Sequence, residues 1–277
     1  MRRLYKENVI FAALGIPTVI CLAAFFMILL ILLSGIGTLR LDLLTTSALR
    51  GGLFEMIVGT VYLLLGAMGI AAPIGILAAI YLAEYAPRGN LTRMIDQSIN
   101  NLAGVPSIVI GLFGYTVFCR QLGLGISLAA GWLTLTLMML PIIIRGTEES
   151  MRMVPETFKE AALALGATKW SAICSMKVST AAPGIITSVL LGIVRVAGET
   201  AAILFTACVI ITRGLPKSPL EPVMALAYNL FVKIAALGEP PEKVFGIALI
   251  LFFIVILFAA AAIVLRVYYR RRQPWLR

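Results

Sequence analysis

The chain contains no histidine, which removes the commonest metal ligand and the usual general base at neutral pH. Cysteine is nearly as scarce. Cys21, Cys119, Cys174 and Cys208 are scattered, mostly inside apolar runs, with no C-x-x-C spacing, so neither a disulfide framework nor a zinc site fits. Charge is low: Asp, Glu, Lys and Arg make up 13% of 277 residues, about half the share of a soluble domain. Apolar residues reach 61%, and water cannot be the main solvent. G-x-x-x-x-G-K-S/T, G-x-S-x-G and the paired acids of a hydrolase are also missing, so the chain is expected to perform no covalent chemistry by itself.

What is abundant is arranged as spans. A hydrocarbon core about 30 Å thick needs roughly 20 apolar residues in helix. Uncharged stretches of that order run over residues 8–39, 56–83, 97–119, 121–144, 178–194 (continuing past two charges to 212) and 244–265. The sequence predicts an all-α polytopic membrane protein with six transmembrane helices. The first stretch is too long for a secretory leader's apolar core and no small-residue cleavage site follows, so it is expected to stay as an anchor. The net charge of +10 does not point to nucleic acid, because Arg2, Arg3 and Lys6 and the run Arg270, Arg271, Arg272 flank the terminal apolar stretches, as membrane topology requires. With the N-terminus cytoplasmic, inner segments hold 15 Lys and Arg and outer loops seven, which predicts both termini inside. Pro17, Pro73, Pro106, Pro141 and Pro183 fall within spans, and Gly104, Gly111 and Gly114 within the third. Packed helices accommodate both.

Between the fourth and fifth stretches lies an extended loop, residues 145–177. Pro155 suits a first helical position and Glu156 the positive helix start. Phe158, Ala161, Ala162 and Leu165 then recur at i, i+3, i+4, i+7, one apolar face. Gly166 supplies a left-handed stop, and Thr168 can cap a second short helix carrying Trp170 and Ile173. The spacing predicts a helix–turn–helix, either docking on a partner or lying on the membrane surface.

Glu160, Ala161 and Ala162, three residues, then Gly166 resemble the EAA loop of ABC-importer permeases, the element that docks into the ATPase subunit; the I-x-L-P tail of that pattern is replaced by Met176, Val178 and Ser179. Segments 99–115, 140–170 and 194–207 are similar to the PstA-type permeases of phosphate importers, within the family of binding-protein-dependent inner-membrane components. The resemblance implies a type I ABC-importer permease of MetI-like fold. It implies a first helix and outer loop over 1–54, a permease core over 55–266 with its coupling loop at 145–177, and a basic tail over 267–277. It also implies a PstC-type permease, two PstB-type ATPases and an extracytoplasmic phosphate-binding protein as partners, in a lipid bilayer. ATP and Mg are then held by the ATPase and no cofactor by this chain. Glu160, Ala161, Ala162, Gly166 and Trp170 become the docking residues.

Arg195 and Glu199 stand within the fifth stretch at helical spacing. Intramembrane charges are costly and face a cavity or a partner. One reading is a mutually neutralising pair that fastens helices; the other is an arginine fork for a phosphate oxyanion, tempered by the glutamate. Arg145 reads as an interfacial arginine, and the resemblance adds Arg145 and Thr200 to the pathway. Asn100, Asn101 and Ser107 are candidates for the same path. Val223, Leu226, Ala227, Leu230, Phe231 and Ile234 trace an apolar helical face expected to lie along the outer interface. Rival functions are a same-fold permease for molybdate, sulfate or phosphonate, and a secondary transporter. The latter lacks an acidic or histidine relay.

Overall fold

The computed structural model describes residues 15, 17–30, 33–35, 41–87 and 89–271. Among the described residues five helices are long and apolar enough to cross a membrane, and one sharply bent pair brings the number to six where it counts as one span. In chain order the spans are α1 (Pro17–Gly35), α3 (Phe54–Glu84), the pair α4 (Asn90–Ala103) and α5 (Ser107–Gly114), α6 (Leu128–Arg152), α9 (Ser179–Ala197) and α12 (Pro241–Arg271), with a short α2 (Leu41–Thr45) between the first two. Between α6 and α9 stand α7 (Glu156–Ala164) and α8 (Lys169–Ala172), and between α9 and α12 stand α10 (Ala201–Leu204) and α11 (Leu226–Ala235). Residues 1–14 and 272–277 lie outside the described residues, Arg2, Arg3, Lys6 and Arg272 among them.

The third predicted span departs most from a simple rod. Its uncharged stretch, 97–119, is cut by a bend of 105° between α4 and α5. Pro106 has no N–H to continue α4 and pushes Val105 out of the helical region; its carbonyl instead starts α5 by accepting from Val109 and Ile110. Pro73, Pro141 and Pro183, by contrast, ride inside continuous helices. The α4 half is amphipathic, with Leu91, Met94 and Ile95 on one side and Arg93, Asp96, Gln97 and Asn100 on the other. α5 continues through a π-helical turn to Gln121.

Helices α3, α6 and α9 form the core, built around Leu64, Leu135, Met139, Ile143 and Ile193. Small residues set how closely they approach. A Cβ on Gly146 of α6 would fall 2.1 Å from Ser188 Oγ of α9, and one on Gly184 of α9 would fall 2.2 Å from Ser150 Oγ of α6. The two G-x-x-x-S segments run antiparallel and interlock, each glycine receiving the other helix's serine. Both hydroxyls donate to the carbonyl four residues back in their own helix, so the contact leaves no polar group stranded in lipid.

The segment expected along the outer interface is divided, with Val223, Leu226 and Ala227 packed into the bundle and Phe231 and Ile234 exposed. Val223 pairs with the chain at Cys208 through a short parallel bridge. Leu226 donates its N–H to Thr60 Oγ1 of α3 at 3.0 Å, and Leu226, Ala227, Asn229 and Val232 are buried while Phe231 and Ile234 are exposed. The reason lies in α9, which stops at Ala197. The following residues fold back to fill the space left between α3, α6 and α12. An apolar helical face reads the same whether a bundle or a lipid surface covers it.

Candidate functional site

The hairpin forms at the predicted place. α7 starts one residue later than Pro155, which sits at the cap with ψ 137°. Gly166 takes φ 86°, a left-handed turn favoured by glycine, and Ala167 donates to the Ala162 carbonyl. Thr168 Oγ1 accepts from Ser171 N at 3.2 Å and starts α8. The expected apolar stripe splits in two. Phe158 packs inward with Ile80, Met151, Val154, Ile173 and Ala181 and Ala162 is buried, whereas Leu165 is 90% and Trp170 53% exposed, with Met153, Glu160 and Ala161 exposed as well. α8 does not end the loop. It passes through a π-helical turn, Ile173–Val178, directly into α9, giving one rod from Lys169 to Ala197. The fifth span therefore begins within the hairpin.

Four charges fix the hairpin to the bundle, and sequence reading had missed them as a unit. Lys177 Nζ, in the π turn, donates to Glu84 at the end of α3 and to Glu156 at the start of α7. Lys159 Nζ lies 2.8 Å from Glu84 and 2.6 Å from Glu156. Each lysine touches both glutamates, so the ring closes with no net charge. Lys177 and Glu84 are each 2% exposed; a buried charge of this kind survives only when paired. Lys159 and Lys177 hold the Glu156 carboxyl below the usual carboxylate range. Glu156 and Glu84 raise the Lys159 ammonium above the ordinary lysine value. One flank of the ring opens on a cavity of about 680 Å³ also lined by Arg93, Asp96 and Arg152.

Two arginines singled out by sequence are used differently. Arg145 donates four hydrogen bonds: Nε to Asn100 Oδ1 at 2.9 Å, Nη1 to Asp96 Oδ1 at 2.9 Å and Glu148 Oε2 at 2.7 Å, and Nη2 to the Asp96 carbonyl at 2.7 Å. Glu148 also accepts from Arg152. Arg145 thus clamps α4 onto α6 with each of its three nitrogens engaged. Arg195 makes one contact among the described residues, Nη1 to Glu199 Oε2 at 3.0 Å. It is 51% exposed and Glu199 8%. The glutamate sits in the break Gly198–Thr200 between α9 and α10, beside Thr60, Leu64, Leu135 and Ala225. Thr200 is half-buried, and its carbonyl accepts from Leu204. The α6–α9 register, continued by contact of Gly192 with Met139 and Ile143, brings Arg195 level with Met139, about 17 Å along α6 at 1.5 Å per residue. That level lies within the uncharged stretch 121–144. A fixed carboxylate on one side and a free fork on the other suit a transient oxyanion contact.

The sequence profile described as "Binding-protein-dependent transport system inner membrane component" matches residues 71–274. The chain belongs to this family. A Bacillus subtilis (strain 168) protein named "Probable ABC transporter permease protein YqgI" is 39% identical over 181 residues, 64% of this chain and 62% of that one. "Phosphate transport system permease protein PstA" of Xylella fastidiosa (strain Temecula1) is 37% identical over 217 residues, covering 74% and 75%. The alignment with the first of these spans less than two thirds of its length. For fold, a crystal structure of a bacterial ABC transporter involved in the import of the acidic polysaccharide alginate covers 97% of this chain and 99% of that one, with a TM-score of 0.63 at 13% identity.

Within this inner-membrane component, then, the structure brings Arg195, Glu199 and Thr200 together at the helix break and puts Arg145 elsewhere, in a clamp near the hairpin end. Glu160, Ala161, Gly166 and Trp170 share an exposed surface, while Ala162 faces inward. Asn100 serves Arg145. Glu84 and Lys177 each bound an uncharged stretch in the sequence, the second and the fifth, but nothing in the sequence pairs those two ends.

Proposed function

We propose that this chain is the PstA-type permease subunit of an ATP-driven phosphate importer. The observation that carries the reading is Arg195, an arginine inside a membrane-spanning helix whose guanidinium is held at one nitrogen by Glu199 and open at the others. Relatives named as phosphate transport permeases, 37–44% identical, support the choice of phosphate. The exposed Leu165 and Trp170 around the Gly166 turn form the contact for a partner ATPase, which hydrolyses ATP. A PstC-type permease supplies the other half of the path, and a phosphate-binding protein delivers substrate from outside. In this reading the hairpin end faces the cytoplasm, as do both termini.

The test is reconstitution with those partners in liposomes. Uptake of radiolabelled phosphate should require ATP on the hairpin side and the binding protein on the other, and excess sulfate, molybdate or phosphonate should not compete. Uptake without ATP would favour a secondary transporter, and preference for another oxyanion would reassign the substrate. Cysteines placed at Ser171 and Ser218 in a background free of native cysteine should label from opposite sides of intact cells. Labelling of both from outside would overturn the orientation.

A further inference from the structure

We infer that Glu84, Lys177, Glu156 and Lys159 are positioning residues that make α9 move with the docking hairpin, so that they set how much transport each ATP drives. This rests on the hairpin being the ATPase contact. The ring stands where three elements meet: the last residue of α3, the first turn of α7 and the π turn that feeds α9. Apolar contacts of Phe158 also join α7 to the bundle, but such contacts are non-directional. Four charges, each touching two of opposite sign, fix a register. Replacing buried ion pairs by apolar residues is often neutral or stabilising, so stability does not explain a lysine and a glutamate that are each 2% exposed. Fixed geometry does. The π turn adds to this, since such turns are rare and concentrate at functional sites. From Lys177 the helix runs unbroken to Ala197, so Arg195 lies about 27 Å up the same rod at 1.5 Å per residue. A displacement of α7 enters that rod through the ring and arrives at the Arg195–Glu199 break.

The closing experiment cuts the ring without stranding a buried charge. Glu156→Gln with Lys159→Gln frees α7 but leaves Lys177 paired with Glu84. The reconstituted variant complex should assemble and hydrolyse ATP, while phosphate carried per ATP falls about fivefold or more. Reversing all four charges (Glu84→Lys, Lys177→Glu, Glu156→Lys, Lys159→Glu) keeps every contact between opposite signs and should recover most of the ratio. An unchanged ratio in the double variant, in a complex whose wild type transports phosphate, overturns the inference. If the wild-type complex carries no phosphate, the substrate reading fails instead. The ring is then read from spin labels at Leu163 and Ser175, whose separation should stay constant through the nucleotide cycle in wild type and vary in the double variant. Equal behaviour of the two there also overturns it.

Discussion

Replacing Gly146 with alanine would place a Cβ 2.1 Å from Ser188 Oγ and 2.7 Å from its Cβ. The hydroxyl can rotate away, but the Ser188 Cβ is fixed to its helix. Carbon atoms rest about 3.5–4 Å apart, so α6 and α9 must part by roughly 1 Å at the crossing. Overpacking of this kind costs about 1–3 kcal/mol, and the better helix propensity of alanine returns up to about 1 kcal/mol. A net loss of about 1–2 kcal/mol lowers the melting midpoint of a chain this size by roughly 2–8 °C. Ser188→Gly removes the obstructing atoms. The pair Gly146→Ala with Ser188→Gly should therefore melt closer to wild type than the sum of the singles, with a coupling of about 1–2 kcal/mol. The mirror pair Gly184→Ala with Ser150→Gly should do the same, because its Cβ would meet Ser150 at 2.2 and 2.6 Å. Heating detergent-purified complexes and following the surviving fraction by gel filtration measures both. Additive effects, or a Gly146→Ala protein that melts no lower than wild type, would refute the interlocked register and with it the level assigned to Arg195.

Gly166→Val puts a β-branched residue at φ 86°, a region such residues rarely occupy. The protein should still insert, while the ATPase fails to co-purify or hydrolyses ATP without transport; coupled transport at the normal rate would remove the hairpin from the docking role. A separate expectation concerns pH. The Glu156 carboxyl is held below its ordinary range by Lys159 and Lys177, so its contribution is present above the unfolded value of about 4.3 and lost as pH falls through the depressed one. Lys159 is shifted up, so its share persists below its ordinary value and fades only in strong base. The melting difference between wild type and Glu156→Gln should be level near neutrality and vanish in acid; a difference that grows in acid would contradict the ring.

Local features were legible from sequence and long-range ones were not. The hairpin turn is written in Gly166, Thr168 and the alternation around them, because caps and turns depend on residues a few positions apart. The bend at Pro106 was visible as a proline but hidden by composition: residues 97–119 carry no charge, and a length-and-hydropathy reading joins what the missing N–H divides. The Val223–Ile234 face was seen, yet periodicity does not say whether protein or lipid covers it. Arg145 and Arg195 look alike in sequence, each at or within an apolar stretch. Their difference arises from Asp96 and Asn100, brought to Arg145 by α4 from more than 40 positions away. The Lys177–Glu84 contact spans 93 positions, and nothing local announces it.

The most direct test of the central claim is phosphate uptake by variants of Arg195 and Glu199, normalised to assembled complex. Each single glutamine substitution strands a charge in a low-dielectric setting, whereas Arg195→Gln with Glu199→Gln strands none. If Arg195 serves the substrate, the double variant assembles normally and takes up no phosphate, and Arg195→Lys is only partly active because a point charge replaces a planar fork. Substantial uptake by the double variant would contradict the account and leave Arg195 as one half of a structural ion pair.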